Sequence, residues 1–538
     1  MKRLLILSAL LLLLTACRAA PAAEPTLAPT AIPIAPTSLP ESTAPPAANE
    51  PTATAGAAAT SDSLASPPAL FDVTWDDRSI YAAGLVDAGG DATDPGVLPG
   101  APVYHMAITI DEALRVVDGR QTVFYTNAED VALEEIYFHL HPNLLDSAID
   151  VTGVTVNGAA ATTEVEGANR SILRVPLAVP LSPGEVAVID MGFQTRVATD
   201  IGRNYGVLAS YEDILALAHF YPMLSVYDDT GWNTAEADIQ GDLTYSDAGF
   251  YLVRVSAPAE TVLVASGVET ARETAGDTQT VTYALGPARD FYLAAGDFIA
   301  VSDTVGATTV NSYAPAELEP GAVVALDVAA AALADFDARV SPYPYTELDI
   351  VTTPTSALGI EYPGLIVGTL RMYDVDAETQ GGVPYAAILE STTAHEVAHQ
   401  WFYNVVGNDQ LDEPWLDESL GSYTTYRYYA TRYGQNTADQ FFETFAGRWA
   451  RVNKAEIPIG LPVAAYEGDE YSAIVYGRGP IFVRELEETM GREAFDVFLH
   501  DYAAQQRWGI SVTADFRTLA EQQCGCDLGS LFEEWVYE

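Results

Sequence analysis

From about Val103 to Ser302, apolar and polar positions alternate with a period of two. The stretches HMAITIDEALRVVDG and RQTVFYTNA carry the alternation, and GFYLVRVSAPAETVLVASG continues it. VTGVTVNGAAATTEV sets Asn157-Gly158 between two such runs. Alternation buries one face of each strand, and Asn-Gly tolerates the positive φ angles that a two-residue hairpin requires. The pattern predicts a large antiparallel β-domain of sandwich or saddle type over residues 69–304. After about Val305 the period changes. ALDVAAAALADFDARV repeats at 3.6 residues, TELDIVTTP and GLIVGTL read as short strands, and helices are expected over 386–406, 416–433, 437–452, 476–490, 493–506 and 513–523. Residues 305–538 are therefore expected to form an α+β domain, with strands first and helices after. No internal repeat is apparent.

The start of the chain follows neither pattern. MKRLLILSALLLLLTAC opens with Lys2 and Arg3 and continues as a short apolar run, an export signal too short for a stable membrane span. Leu14-Thr15-Ala16-Cys17 resembles a bacterial lipobox, which makes Cys17 the lipid-bearing first residue after cleavage. Residues 18–68 are nearly all Ala, Pro, Thr, Ser and Glu and have no apolar face, so an extended linker is expected there. The expected protein is a soluble body outside the cytoplasm, held to a membrane by its lipid. The other two cysteines, Cys524 and Cys526, are too few to staple a fold, and the sequence leaves them as either thiols or a bridge.

Charge narrows the partners. The chain carries 75 acidic against 25 basic residues, a formal net charge of −50. Such a surface repels phosphate backbones, which argues against nucleic-acid binding. It favours solubility and attracts cationic groups, peptide amino termini among them.

The candidate chemistry lies in TTAHEVAHQWFYNVVGNDQLDEPWLDESLGSY, residues 392–423. Residues 386–405 read as one helix with an apolar stripe of Ala394, Ala398, Trp401 and Val405. On it His395 and His399, four apart, share a face. Two imidazoles bind a zinc ion at about 2.0–2.1 Å and leave room for a third protein ligand and a water. Glu396 follows the first histidine directly and supplies a base beside that water, the usual meaning of H-E-x-x-H on a helix. A break near Gly407-Asn408 and a second helix bring Glu418, nineteen residues after His399, back toward the pair as third ligand. One zinc ion is expected. A second pair, His139 and His141 in FHLH, shares a strand face, where packing or surface roles are commoner than chelation.

With Glu418 inside WLDES, the motif H-E-x-x-H, an eighteen-residue gap and Glu resembles the zinc aminopeptidases of the aminopeptidase N and leukotriene hydrolase family. LGIEYPG, with Gly359, Ile360 and Glu361, is similar to that family's Gly-x-Met-Glu-Asn strand. YSAIVYGRG is similar to its Tyr-x-x-x-x-Tyr-x-Lys-Gly element, with Tyr471 and Tyr476 at the tyrosines. The resemblance covers about residues 100–538 and is specific in the second half. It implies a β-saddle domain packed on a thermolysin-like domain, and hydrolysis of the first peptide bond of peptides with a free amino terminus. It implies Glu396 as general base, Tyr471 as the hydroxyl donor to the oxyanion, and Tyr476 as its neighbour and the weaker candidate. It also implies Glu361 as partner of the substrate ammonium, with the strand from Gly359 pairing with substrate backbone.

The chain departs from the family in four places. Ile360, Tyr362 and Pro363 replace the family's residues around Glu361, and Arg478 replaces its lysine. LALAHFYPMLSVYDDTGW, where a second ammonium anchor is expected, offers no acid at the matching place, with His219 nearby. LFEEWVYE falls where the thermolysin-like domain ends in the family, which implies a more open cleft. Two alternatives stay open: a zinc endopeptidase or other hydrolase on the same scaffold, and a catalytically silent peptide-binding lipoprotein.

Overall fold

The computed structural model describes residues 70–86, 93–94, 96–202, 205–237 and 240–538. The expected signal segment, Cys17 and the linker to residue 68 lie outside the described residues. The alternating region builds an eight-stranded sheet. Its spatial order is Val268–Ala275, Thr278–Ala288, Gly249–Pro258, Val103–Ile110, Val116–Thr126, Val186–Arg196, Ala148–Val156 and Ala159–Ala160. Asn157 and Gly158 turn the last hairpin with φ of 51° and 78°. Two four-stranded sheets cover it, one containing Leu133–His139 and Ile172–Leu181, the other Ile214–Leu217 and Leu293–Gly296. Inward residues Met106, Ile108, Val123, Ile189, Val253 and Val281 meet Ile136, Phe138, Val175, Leu215 and Leu293 in one buried core. Each fully buried aliphatic side chain of this kind stabilises the fold by about 1.5–3 kcal/mol.

One pairing departs from the antiparallel expectation. Val103–Ile110 and Gly249–Pro258 run parallel, with residues 111–248 connecting them. Period-two burial reports a strand's face and carries no information about its direction, so the pattern could not show this.

The second domain begins with a five-stranded sheet in the order Ile299–Val305, Thr308–Ala314, Glu347–Thr353, Leu365–Thr369 and Gly359–Tyr362. The hairpin Ile299–Ala314 spans the expected boundary at residue 304 and belongs wholly to this sheet, which moves the boundary to about residue 298. Alternation continues through both sheets, so it does not mark where one stops. Gly359–Tyr362 is an edge strand.

Helices α1 (Glu319–Arg339), α2 (Tyr385–Ala398), α3 (Trp415–Tyr433) and α4 (Gln435–Trp449) pack behind the sheet, followed by Gly479–Met490, Arg492–Gln505 and Thr513–Cys524. Helix α1 buries Ala322, Ala325, Ala329 and Ala332, whose small side chains let α2 approach closely. Two helix expectations are corrected. The helix expected to reach residue 406 ends at Ala398, because Tyr403 takes φ +123° and its N–H turns back to the Val406 carbonyl. Trp401 and Val405 remain fully buried, so the apolar stripe outlasts the helix. The helix expected from residue 476 starts at Gly479, after a wide π-turn over Ile474–Arg478. Cys524 and Cys526 are bridged to each other. Among the described residues, no helix is long and apolar enough to cross a membrane.

Candidate active site

His395 lies in the last turn of α2 and His399 caps it, so the two imidazoles meet edge-to-face along one side. Their ring centroids are 4.7 Å apart and their Nε2 atoms 3.1 Å apart. Glu418 stands in the first turn of α3, where helix N–H groups favour a carboxylate. Its Oε2 lies 3.0 Å from His395 Nε2 and 3.4 Å from His399 Nε2. Three donor atoms thus converge on one point, with both imidazoles presenting the same nitrogen. The helices come this close because Gly421 faces the rings: a Cβ there would lie 3.2 Å from His395 Cε1 and 3.3 Å from His399 Nε2. His399 Nδ1 donates to the Phe402 carbonyl at 2.9 Å, which fixes the tautomer and leaves the Nε2 lone pair free for a metal.

Glu396 is buried, and its carboxylate packs against the backbone of Gly359, where a Cβ would fall 2.3 Å from Oε1. Glycine at 359 is therefore a spatial requirement set by the acid on α2. Glu361, on the same edge strand, is also buried and forms with Glu396 and His399 a second group of convergent donors. Among the described residues, these two groups sharing His399 are the metal-type clusters within chelating reach.

Gln410 holds the acids apart. Its amide nitrogen donates to Glu361 Oε1 at 3.0 Å and to Asp417 Oδ2 at 2.7 Å, while Asn408 donates to Asp417 Oδ1 at 3.1 Å. Burial, reinforced by the Glu418 charge, pushes the Asp417 carboxyl up to about 7. Burial and the Glu361 charge push Glu396 well above the usual carboxylate range. Burial raises Glu418 too, but hydrogen bonds with His395 and His399 outweigh it and hold that carboxyl well below the usual range. Four acids buried around two imidazoles need a cation, since uncompensated buried charge is costly. A His-His-Glu set with a pinned tautomer is the donor chemistry that zinc prefers.

The β-domain supplies an acid that the sequence reading did not identify. Asp242 stands among Glu361, Glu418 and Asp417, with a side-chain hydrogen bond to Glu418, and burial with the Glu361 charge pushes its carboxyl well above the usual range. The next residue toward the amino terminus, Gly241, packs on the second domain, where a Cβ would lie 3.2 Å from the Tyr471 hydroxyl and 2.9 Å from Val463 Cγ2. The only sequence signal was the aspartate itself, in a loop without periodicity.

The two tyrosines stand in the reverse order to that implied by the resemblance. The Tyr476 hydroxyl donates to Glu418 Oε1, and its ring centre is 6.0 Å from that of His395. Tyr471 lies one ring further out, edge-on to Tyr476 at 5.7 Å. Arg478 does not reach the site; its guanidinium donates to the carbonyls of Ile457, Glu534 and Trp535 and pins the last turn of the chain. The next residue, Gly479, leaves room for Ser419 of α3, whose Oγ would be 1.9 Å from a Cβ there.

His139 and His141 stack at 5.1 Å, and His141 meets His219 at 5.2 Å. The three rings make a buried row, outside the two groups of convergent donors. Burial pulls His139 down to about 4. His219 Nε2 lies 2.9 Å from Asp290 Oδ2 and 3.0 Å from Thr244 Oγ1.

Two helices thus bring together two imidazoles and a carboxylate, with the Glu396 carboxylate on the same helix as the imidazoles and the β-domain's Asp242 close by. Residues 324–535 match the Peptidase family M1 domain. The chain is 30% identical over 300 residues to Aminopeptidase M1-B of Oryza sativa subsp. japonica, covering 53% of this chain and 34% of that protein. It is 26% identical over 275 residues to Aminopeptidase 2 of Candida albicans, covering 48% of this chain and 29% of that one. The chain thus spans about a third of the length of these curated relatives. The M1 zinc metallopeptidase of Deinococcus radiodurans has the same two-domain fold: TM-score 0.60, 21% identity, 81% of this chain and 94% of that chain.

Proposed function

We propose that the protein is a zinc-dependent aminopeptidase that removes single residues from peptides with a free amino terminus. His395, His399 and Glu418 hold the ion. Bound there, zinc polarises the scissile carbonyl and lowers the pKa of a water toward about 7. Glu396 takes that water's proton and returns it to the departing amine, a role that needs a carboxylate beside the ion and away from bulk solvent. Tyr476 rather than Tyr471 has its ring beside His395 and its hydroxyl on Glu418, so the oxyanion donor is assigned to it. The edge strand Gly359–Tyr362 offers backbone groups to an extended substrate.

The observation that carries the exopeptidase reading is the pair Glu361 and Asp242. Two carboxylates from different domains face the same space beside His399 and Glu418, with Gly241 packed on the wall behind them. An α-ammonium placed there neutralises the pair and sets the first peptide bond at the triad. A blocked amino terminus brings no charge to that space, which disfavours the endopeptidase alternative. A point mutant of the M1 zinc metallopeptidase of Deinococcus radiodurans has been crystallised with a Tyr-Ser-Ala substrate, which supports short peptides as the substrate class here.

The test combines metal content with product analysis. One zinc per chain and release of single amino acids from free but not N-acetylated peptides are expected. Equal cleavage of both, at internal bonds, would replace this reading with an endopeptidase. On the signal segment alone, we also propose attachment to the outer face of a membrane through lipid on Cys17. Cys17→Ser is expected to release the protein from the membrane fraction, and retention there would reject the anchor.

A further inference from the structure

The loop that orients His399 is held from the other domain. After α2 the chain turns through Phe402–Gly407, and the Phe402 carbonyl takes the Nδ1 proton of His399. The loop carries Tyr403 at φ +123°, a region that L-residues rarely adopt, so something outside it must hold it in place. The β-domain supplies Arg289 and Asp290, which follow the strand Thr278–Ala288.

Both residues are essentially without solvent exposure, and the Arg289 guanidinium and the Asp290 Oδ2 reach this loop or its supports. Asp290 Oδ2 accepts the Tyr403 hydroxyl at 2.7 Å and lies 2.9 Å from His219 Nε2. Arg289 donates to the Asn404 carbonyl at 3.1 Å, to the Ser246 carbonyl at 3.2 Å and to the Gly509 carbonyl. Gly407 has no side chain because the guanidinium lies against it, with a Cβ there falling 2.5 Å from Arg289 Cζ. The Asn404 N–H closes the loop on the His399 carbonyl at 3.1 Å. His219, the other partner of Asp290, also has a positive φ of 47°. Two strained residues, one from each domain, thus meet on a single buried carboxylate.

We propose that Asp290, acting through Tyr403, is a positioning residue for the metal ligand His399. The β-domain contributes more to the site than a wall: it holds the loop conformation in which the Phe402 carbonyl faces Nδ1. Without that hold, the loop relaxes from its positive-φ turn, the Nδ1 partner is lost, and the Nε2 lone pair no longer points steadily at the ion. Groups that orient metal-ligating histidines typically contribute about 10–100-fold to metal affinity. The inference rests on the zinc reading of the triad.

The test measures zinc affinity by competition with a chromophoric chelator, alongside thermal stability and kinetics at saturating zinc. Tyr403→Phe removes one oxygen and keeps the ring. It is expected to weaken zinc binding about ten-fold or more, to leave KM for a free-amino peptide unchanged, and to recover most of kcat when zinc is supplied in excess. Asp290→Asn, whose amide oxygen accepts the same hydroxyl, is expected to stay close to wild type, whereas Asp290→Ala follows Tyr403→Phe. If Asp290→Ala does not fold, Tyr403→Phe decides. A lowered Tm with zinc affinity within two-fold of wild type would show a purely structural contact and overturn the inference. Wild-type protein that takes up no zinc would instead overturn the reading of the triad itself.

Discussion

The Tyr476 hydroxyl and the two metal-facing imidazoles share one carboxylate: Tyr476 donates to Glu418 Oε1, while Oε2 of the same group faces His395 and His399. With an ion held by His395, His399 and Glu418, the Tyr476 hydroxyl would be placed to donate to a substrate oxygen on which charge develops. Tyr476→Phe is expected to lower kcat by about 10²–10³-fold with little change in KM, the usual effect of losing one oxyanion donor. Tyr471→Phe is expected to cost less than ten-fold. Steady-state kinetics of both variants check the order, and the opposite ranking would return the role to Tyr471.

Glu396 follows the ligand His395 directly, and its carboxylate is packed against the backbone of Gly359. Glu396→Gln is expected to lower kcat by about 10³-fold, within the range for a lost general base. Zinc content, measured by elemental analysis, is expected to stay at the wild-type level, because the triad is intact.

Gly359 tests the same carboxylate from the other side. An added Cβ falls 2.3 Å from Glu396 Oε1, so Gly359→Ala must displace the acid or the edge strand. A loss of kcat of ten-fold or more is expected at normal zinc content. A fully active Gly359→Ala enzyme would show that the acid does not need this position.

Glu361 and Asp242 are expected to act on substrate affinity. A charge-assisted hydrogen bond contributes about 1.5–3 kcal/mol. Glu361→Gln and Asp242→Asn are each expected to raise KM for free-amino peptides by roughly ten-fold or more, and to narrow the preference for free over N-acetylated substrates. A variant of Asp242 that leaves both quantities unchanged would remove it from the site.

His105 sets a pH dependence of stability. It is buried against Phe124, and burial pulls its imidazole down from the ordinary value to about 4. Between about pH 6.5 and 4 the unfolded chain therefore binds a proton that the fold excludes. This contribution is intact above pH 6.5 and is lost as pH falls toward 4, up to about 3 kcal/mol at about 1.4 kcal/mol per pKa unit. His105→Leu is expected to flatten the fall of Tm across that window relative to wild type. An unchanged slope would assign the acid lability to other groups.

Much of the site was legible from short-range rules. His395 and His399 lie four residues apart, so their common face follows from the 3.6-residue period alone, and Glu396 follows the first of them directly. Glu418 was legible because its spacing carries a recognisable motif, and Gly359 and Glu361 because they stand in another. The end of α2 was not: Trp401 and Val405 keep the burial of a helix face although the chain has already turned at Tyr403. Nor was Asp242 legible, since its neighbours Glu361, Asp417 and Glu418 are more than a hundred residues away and its loop has no periodicity.

By itself the sequence determined what local geometry dictates: alternating strands with an Asn157-Gly158 turn, alanine-rich α1, and two imidazoles four residues apart beside a carboxylate. Burial and backbone period act between near neighbours, so a linear pattern records them. The tertiary structure alone decided the parallel pairing of Val103–Ile110 with Gly249–Pro258, the order of Tyr476 before Tyr471, the arrival of Asp242, and the hold of Asp290 on Tyr403. Each of these joins residues far apart in the chain, or depends on where a turn aims a ring, and only packing brings such groups within bonding distance.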